Sequence, residues 1–235
     1  MKLDSYTIKA RLCPSIVLVI PILVLGFTLL SVPFSMVNLV PEYITTCACL
    51  IIAIFVRNRG KSIEPRLWKS WGGPPTTRYL RYNNNEYNSI NRDRCHQYFL
   101  RNIPDISFPS RKFESENPIK ADEVYEACIT FLRTKSRDKK KYALVYSENI
   151  EYGFLRNSLG VKAIGITFSL LTLLISISII TIYWKNFQIL ILSLFLPITL
   201  SFLILIYWIF FVTKRAVKCA AENYAVRLLE ICLEG

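Results

Sequence analysis

Long stretches without a single charged side chain constrain this chain more than any other feature. Residues 12–41 carry no charge between Arg11 and Glu42, and residues 43–56 stay uncharged up to Arg57. Residues 163–184 and 186–213 are uncharged on either side of Lys185. Runs of eighteen or more such residues have the length of a membrane crossing, because about twenty residues of helix match a hydrocarbon core of about 30 Å. The sequence therefore predicts a mainly α integral membrane protein. Four transmembrane helices, two plus two, flank a mostly helical basic segment. The first run starts basic like a signal peptide, but it is too long and lacks a small-x-small cleavage site, so it is expected to be a retained span.

Charge placement sets the expected topology. The formal net charge is +12. Residues 57–162 hold 21 Lys/Arg and 12 Asp/Glu. Lys2, Lys9 and Arg11 precede the first span, Arg57, Arg59 and Lys61 follow the second, and Arg156 and Lys162 precede the third. Lys214, Arg215 and Lys218 follow the fourth, whereas the two opposite turns hold only Lys185. Basic flanks stay on the cytoplasmic side. The expectation is a bacterial inner-membrane protein with both termini and the middle domain cytoplasmic. Its parts are 1–56 (lead and spans 1 and 2), 57–162 (basic cytoplasmic domain), 163–213 (hairpin of spans 3 and 4) and 214–235 (C-terminal helix). Seven cysteines without a CxxC, in a reducing compartment, predict no disulfides.

Within the basic segment, the pattern predicts a short helix over 63–71, stopped by Gly72-Gly73-Pro74-Pro75, and a new helix capped by Thr76 or Thr77. An Asn-rich loop is expected at 83–91, a helix at 90–102, and irregular chain over the three prolines of 104–118. Residues 120–135 should form an amphipathic helix with Val124, Ala127, Cys128, Phe131 and Leu132 on one face. Residues 142–158 could run into span 3 as one helix, loosened at Gly153 and Gly160. Pro21 and Pro197 should kink spans 1 and 4.

Three groups of residues could carry function. In span 3, Ser169, Thr172 and Ser176 share a helix face with Gly165. That face is either a tight packing seam of small residues or the wall of a water-filled pore. Glu42, followed by Thr45 and Thr46, is either a solvated turn residue or an acidic group at a pore mouth. In the basic segment, Arg78, Tyr79, Arg81 and Tyr82 interleave cations with rings beside Thr76 and Thr77. This pattern suits a single-stranded oligonucleotide, with bases on the rings and phosphates on the cations and on the helix-start N–H groups. It equally suits a flank touching anionic lipid headgroups. No P-loop, dinucleotide fingerprint, serine elbow or zinc motif is present, so the sequence points away from an enzyme, a cofactor or a metal.

Two stretches, RNRGKSIEPRLWKSWGGPPTTRYLR (57–81) and ENIEYGFLRNSLGVK (148–162), resemble segments of bacterial membrane proteins that accompany anti-phage genes. The layout of four spans around a basic cytoplasmic domain resembles the membrane effector of Hailong anti-phage systems. The resemblance implies an oligomeric channel, a homo-oligomer such as a tetramer. It also implies a single-stranded oligonucleotide, made by a partner nucleotidyltransferase, that gates it. Opening would depolarise the infected cell. The other expectation is a non-conducting scaffold or sensor that recruits a cytoplasmic nucleic-acid-binding defence partner.

Overall fold

Helices account for every regular element among the described residues of the computed structural model. These are residues 4–31, 42–183 and 188–233, with side chains described at 4–29, 51–182 and 192–233. A π-helical turn, Thr7–Leu12, leads into α1 (Cys13–Ser31). There follow α2 (Glu42–Trp71), α3 (Pro75–Arg78), α4 (Ser89–Asn102), α5 (Arg111–Glu116) and α6 (Pro118–Lys135). The long α7 (Ala143–Tyr183) precedes α8 (Gln188–Ile206), a second π-turn at Tyr207–Phe211, and α9 (Lys214–Glu230).

The chain divides into two compact units. A membrane unit comprises Met1–Glu64 and Gly153–Val217, and a polar unit comprises Pro65–Tyr152 and Lys218–Gly235. The division differs from the expected 57–162. Residues 57–64 and 153–162 pack with the membrane helices, while the C-terminal helix supplies Ala225, Leu228 and Leu229 to the core of the polar unit.

Among the described residues of the membrane unit, three helices are long and apolar enough to cross a membrane: Thr7–Leu29, Ala143–Ile182 and Leu192–Phe211. The expected second span, 38–56, and the expected turn at 183–186 lie partly outside the described residues, and the expected turn at 34–41 lies wholly outside them. The distribution of side chains is inverted relative to a water-soluble bundle. Leu23, Phe27, Ile54, Leu174, Phe202 and Phe210 face outward, while Ser15, Thr28, Ser169, Thr172, Ser176 and Ser201 are buried. Hydrocarbon favours this inversion, since lipid tails solvate Leu and Phe and hydroxyls gain by turning inward. Ser15, Thr28, Ser169 and Thr172 donate to carbonyls three or four residues back in their own helices. The core is Leu18, Val56, Val161, Ile204, Trp208 and Val212, and α1 packs along α8.

Helix α7 has 41 residues. At 1.5 Å per residue it is about 60 Å long, roughly twice a hydrocarbon core. It runs unbroken from 143 through the third span, as its continuous helical pattern suggests. Gly153 and Gly160 do not loosen it; they let neighbours approach. A β-carbon on Gly160 would lie 2.5 Å from the backbone nitrogen of Gly60 on α2, and one on Gly153 would lie 3.1 Å from the β-carbon of Ala10. Gly60 in turn lies against the Asn157 side chain. Helix α2 likewise continues past the expected break. It holds Pro65 in its interior and ends at Trp71, so 63–71 is its last two turns rather than a separate helix.

The polar unit is built on α4, α6, the start of α7 and α9. Its core contains Leu80, Cys95, Phe99, Tyr125, Ile129, Leu132 and Leu228. Two sequence expectations are corrected. A short helix, α5, lies within 104–118, capped by Ser110, whose hydroxyl accepts from the Phe113 N–H. The buried face of α6 is Ala121, Tyr125, Cys128, Ile129 and Leu132, while Ala127 is exposed and Val124 and Phe131 are half-buried. Tyr125 can turn inward because Glu114 accepts its hydroxyl proton at 2.6 Å. Cys13, Cys95, Cys128, Cys219 and Cys232 are free thiols, and burial pushes the Cys128 thiol up to about 12.

The α2–α7 contact makes a direct prediction. Gly160→Ala forces two backbones apart and should destabilise the detergent-solubilised protein by about 1–3 kcal/mol. Gly26, whose added β-carbon would meet nothing within 4 Å, is the control. Gly26→Ala should be neutral or stabilise by about 0.5–1 kcal/mol, as a glycine-to-alanine change within a helix does. Thermal unfolding of both variants checks the contrast.

Candidate functional site

The interleaved Arg–Tyr stretch begins where α2 ends. Gly72 and Gly73 adopt positive φ angles of 79° and 125°, the left-handed region that glycine enters freely. The Gly73 N–H returns to the Trp68 carbonyl at 2.8 Å, closing the helix end. Pro75 starts α3 at its first turn and Pro74 is the N-cap, so neither Thr76 nor Thr77 caps it; both threonines are buried.

Arg78 lies in the interior, 7% exposed. Its guanidinium donates to the Trp71 carbonyl at 2.6 Å, to Glu86, and to Glu222 on α9 at 2.9 Å. One side chain thereby ties the end of α2 to the Asn-rich loop and to the C-terminal helix. Arg81 makes a two-pronged bond to Asp122 on α6, at 2.8 and 2.6 Å, and donates to the Gly72 carbonyl at 2.7 Å. Tyr79 is buried with its ring stacked on Tyr87 at 5.3 Å. Of the six residues expected to bind a ligand, Arg78, Tyr79, Thr76 and Thr77 are buried in the fold and Arg81 is paired. Tyr82 lines an open cleft.

That space is a polar cleft of about 580 Å³ beside the Asn-rich loop. Two guanidiniums approach the Tyr82 ring, Arg92 at 5.6 Å and Arg111 at 5.4 Å, and His96 meets it edge-on at 4.9 Å. Arg92 is 4% exposed and shapes the loop, donating to the carbonyls of Arg81, Tyr82 and Asn84. Glu114, buried from α5, accepts from the Tyr82 and Asn83 N–H groups at 2.9 and 3.3 Å. Asn84 accepts from the Glu86 and Tyr87 N–H groups, and Asn88 caps α4. Arg111 is exposed at the rim, with Asn85 and Ser89 also lining the cleft. The cleft can thus offer an anion one exposed and one loop-bound cation, and a planar group the flank of Tyr82.

His96 supports this loop from beneath. Its Nε2–H donates to the Leu80 carbonyl at 2.8 Å, and burial pushes its pKa below the usual value, with the Leu80 bond opposing the shift. Burial therefore favours the neutral imidazole.

On the membrane side, Ser169, Thr172 and Ser176 are buried inside the chain at 0–1% exposure. Their hydroxyls serve helix carbonyls or, for Ser176, point into the packed interior. Gly165 on the same face receives the Trp208 indole, whose ring atoms a β-carbon there would strike. The three hydroxyl residues therefore lie in the interior of the membrane unit. Glu42, Thr45 and Thr46 lie where side chains are not described.

The structure joins the two segments that connect the spans to the basic domain. Arg156 on α7 meets Glu64 on α2 at 2.9 Å, with both side chains at most 15% exposed, beside the Gly60–Gly160 contact. Sequence reading missed Glu64, Arg92, Glu114 and Asp122. Each is unremarkable in a string of charges, and only the pairing partners, 41 residues apart for Arg81 and Asp122, reveal it.

Removing Arg78 breaks its bonds to the Trp71 carbonyl, Glu86 and Glu222 together, so Arg78→Ala should cost about 2–3 kcal/mol. Arg111→Ala, at the rim, should stay within about 0.5 kcal/mol. Chemical denaturation of the two variants separates the buried cation from the exposed one. His96 gives a pH dependence of fixed sign. Its folded pKa lies below the unfolded value, so its contribution is complete above about pH 6.5 and is lost as pH falls through the folded value. The melting temperature should drop between pH 7.5 and 5.5 and drop less in His96→Gln.

No known protein family, no curated protein and no solved structure matches the chain.

Proposed function

We propose that this chain is a subunit of an oligomeric channel of the bacterial inner membrane, an effector of anti-phage defence gated by a nucleotide or oligonucleotide signal. The supporting observation is the continuity of α2 and α7. Each is one unbroken helix that passes from an apolar stretch into the polar unit, and the two touch backbone to backbone at Gly60 and Gly160. A ligand that favours one arrangement of the polar unit therefore has two helices through which to bias the spans. The basic flanks support a cytoplasmic position for that unit and both termini. A partner nucleotidyltransferase would supply the signal, opening would depolarise the cell, and lipids and further copies of the chain are the membrane partners.

Arg78 and Arg81 are committed to the fold, so the ligand contact moves to the cleft of Tyr82 and Arg111. A base can lie on the exposed flank of the ring, and phosphates on the cations. The buried position of Ser169, Thr172 and Ser176 favours the second reading, a non-conducting scaffold that recruits a nucleic-acid-binding partner. In that case the polar face is packing alone.

Planar-bilayer recording separates the two readings. The channel reading predicts ligand-dependent current from the purified protein; a silent bilayer under all ligand conditions, with a stable partner complex instead, leaves the scaffold. For the site, Tyr82→Ala with Arg111→Ala should weaken single-stranded oligonucleotide binding at least tenfold. It should also reduce the salt dependence by about one unit of slope. Unchanged binding would remove the cleft from consideration.

A further inference from the structure

Both π-helical turns sit in the membrane unit. One opens the first membrane helix at Thr7–Leu12, and the other closes the last at Tyr207–Phe211. A π-turn carries one residue more per hydrogen-bonded loop than an α-turn. Passing that residue along the helix rotates everything beyond it by about 100° and shifts it by about 1.5 Å. Such turns leave carbonyls without their helical donors, and here two side chains of α7 supply the donors.

At the first turn the cause is in the sequence. Ala10 would be paired by the N–H four residues on, but that residue is Pro14, which has none. The Asn157 side-chain amide donates to the Ala10 carbonyl at 2.6 Å instead, and Asn157 is fully buried. At the last turn the helix ends at Val212, whose φ and ψ of −85° and 87° leave the helical region. The terminal carbonyls there are orphans. Lys162, five residues beyond Asn157, donates to the Ile209 carbonyl at 3.2 Å and to the Val212 carbonyl at 2.8 Å. The ammonium also sits favourably at the negative end of a helix. Between the two donors Gly160 meets α2, and just beyond them Gly165 takes up Trp208 of the π-turn itself.

We infer that the two π-turns are the joints of the membrane unit, and that Asn157 and Lys162 are their latches, carried on one helix. Each joint opens locally when its own latch is lost, because each latch serves a different turn. The inference does not depend on the chain conducting ions.

Hydrogen exchange read by mass spectrometry, on the full chain in lipid nanodiscs, tests it. Lys162→Met should raise exchange at least tenfold over 209–213 and leave 7–15 at the wild-type rate. Asn157→Leu, close in shape but without a donor, should do the reverse. Lys162→Arg, which keeps a charged donor, should restore protection. Wild-type exchange at its own turn in either variant would overturn the inference. So would equal acceleration across all the membrane helices, the mark of general destabilisation. Asn157→Ala is the alternative should the leucine disturb packing against Gly60, with the same two outcomes.

Discussion

Two helices can touch backbone to backbone only where side chains vanish, and the membrane unit depends on one such place. Gly160 on α7 meets Gly60 on α2 so closely that a β-carbon would overlap the opposing main chain. Close approach is how helices associate in lipid, where apolar side chains gain nothing by leaving one hydrocarbon surrounding for another. The contact also brings Arg156 within reach of Glu64 and lays Asn157 against Gly60. A buried ion pair needs good geometry and further hydrogen bonds to offset its desolvation. Arg156 has these, from Glu64 and from the Asn157 side chain. The seam is therefore a small polar junction between the two helices that pass from the spans toward the polar unit.

The polar unit solves a different problem with the same residue types. A strongly basic segment repels itself unless its cations find partners. Three arginines are absorbed into the structure. Arg78 caps α2 and reaches α9, Arg81 clamps α6, and Arg92 binds three loop carbonyls. Glu114 does the reverse, a buried carboxylate that gathers two loop N–H groups and the Tyr125 hydroxyl. What remains outward-facing beside Tyr82 is Arg111. The basic stretch that looked most like a ligand surface is mostly the mortar of the unit, and the open cleft lies at its edge.

The legibility of these features in the sequence followed physical lines. Apolar runs and the single long α7 were readable because hydrophobic continuity has no other use. The Gly72-Gly73 stop was readable because positive φ selects glycine. Helix α2 was not, because Pro65 ends most helices and here it sits in the interior with the helix continuing through it. The buried face of α6 turned on Tyr125, whose hydroxyl needs an interior acceptor that only the fold supplies. Pairing among charges was the least legible: nothing in the string distinguishes Arg78, buried, from Arg111, exposed. Small hydroxyl residues at helical spacing in span 3 fit both a pore wall and a seam, because spacing places them on one face without saying what that face meets; in the fold they are buried.

The account stands or falls on the α2–α7 junction. A double-mutant cycle with Glu64→Gln and Arg156→Met, read by reversible unfolding in mixed micelles, measures it directly. The account predicts that the two changes are coupled by about 1.5 kcal/mol or more, as expected of a buried pair in one network. Additivity within about 0.3–0.5 kcal/mol, the behaviour of independent sites, would contradict it.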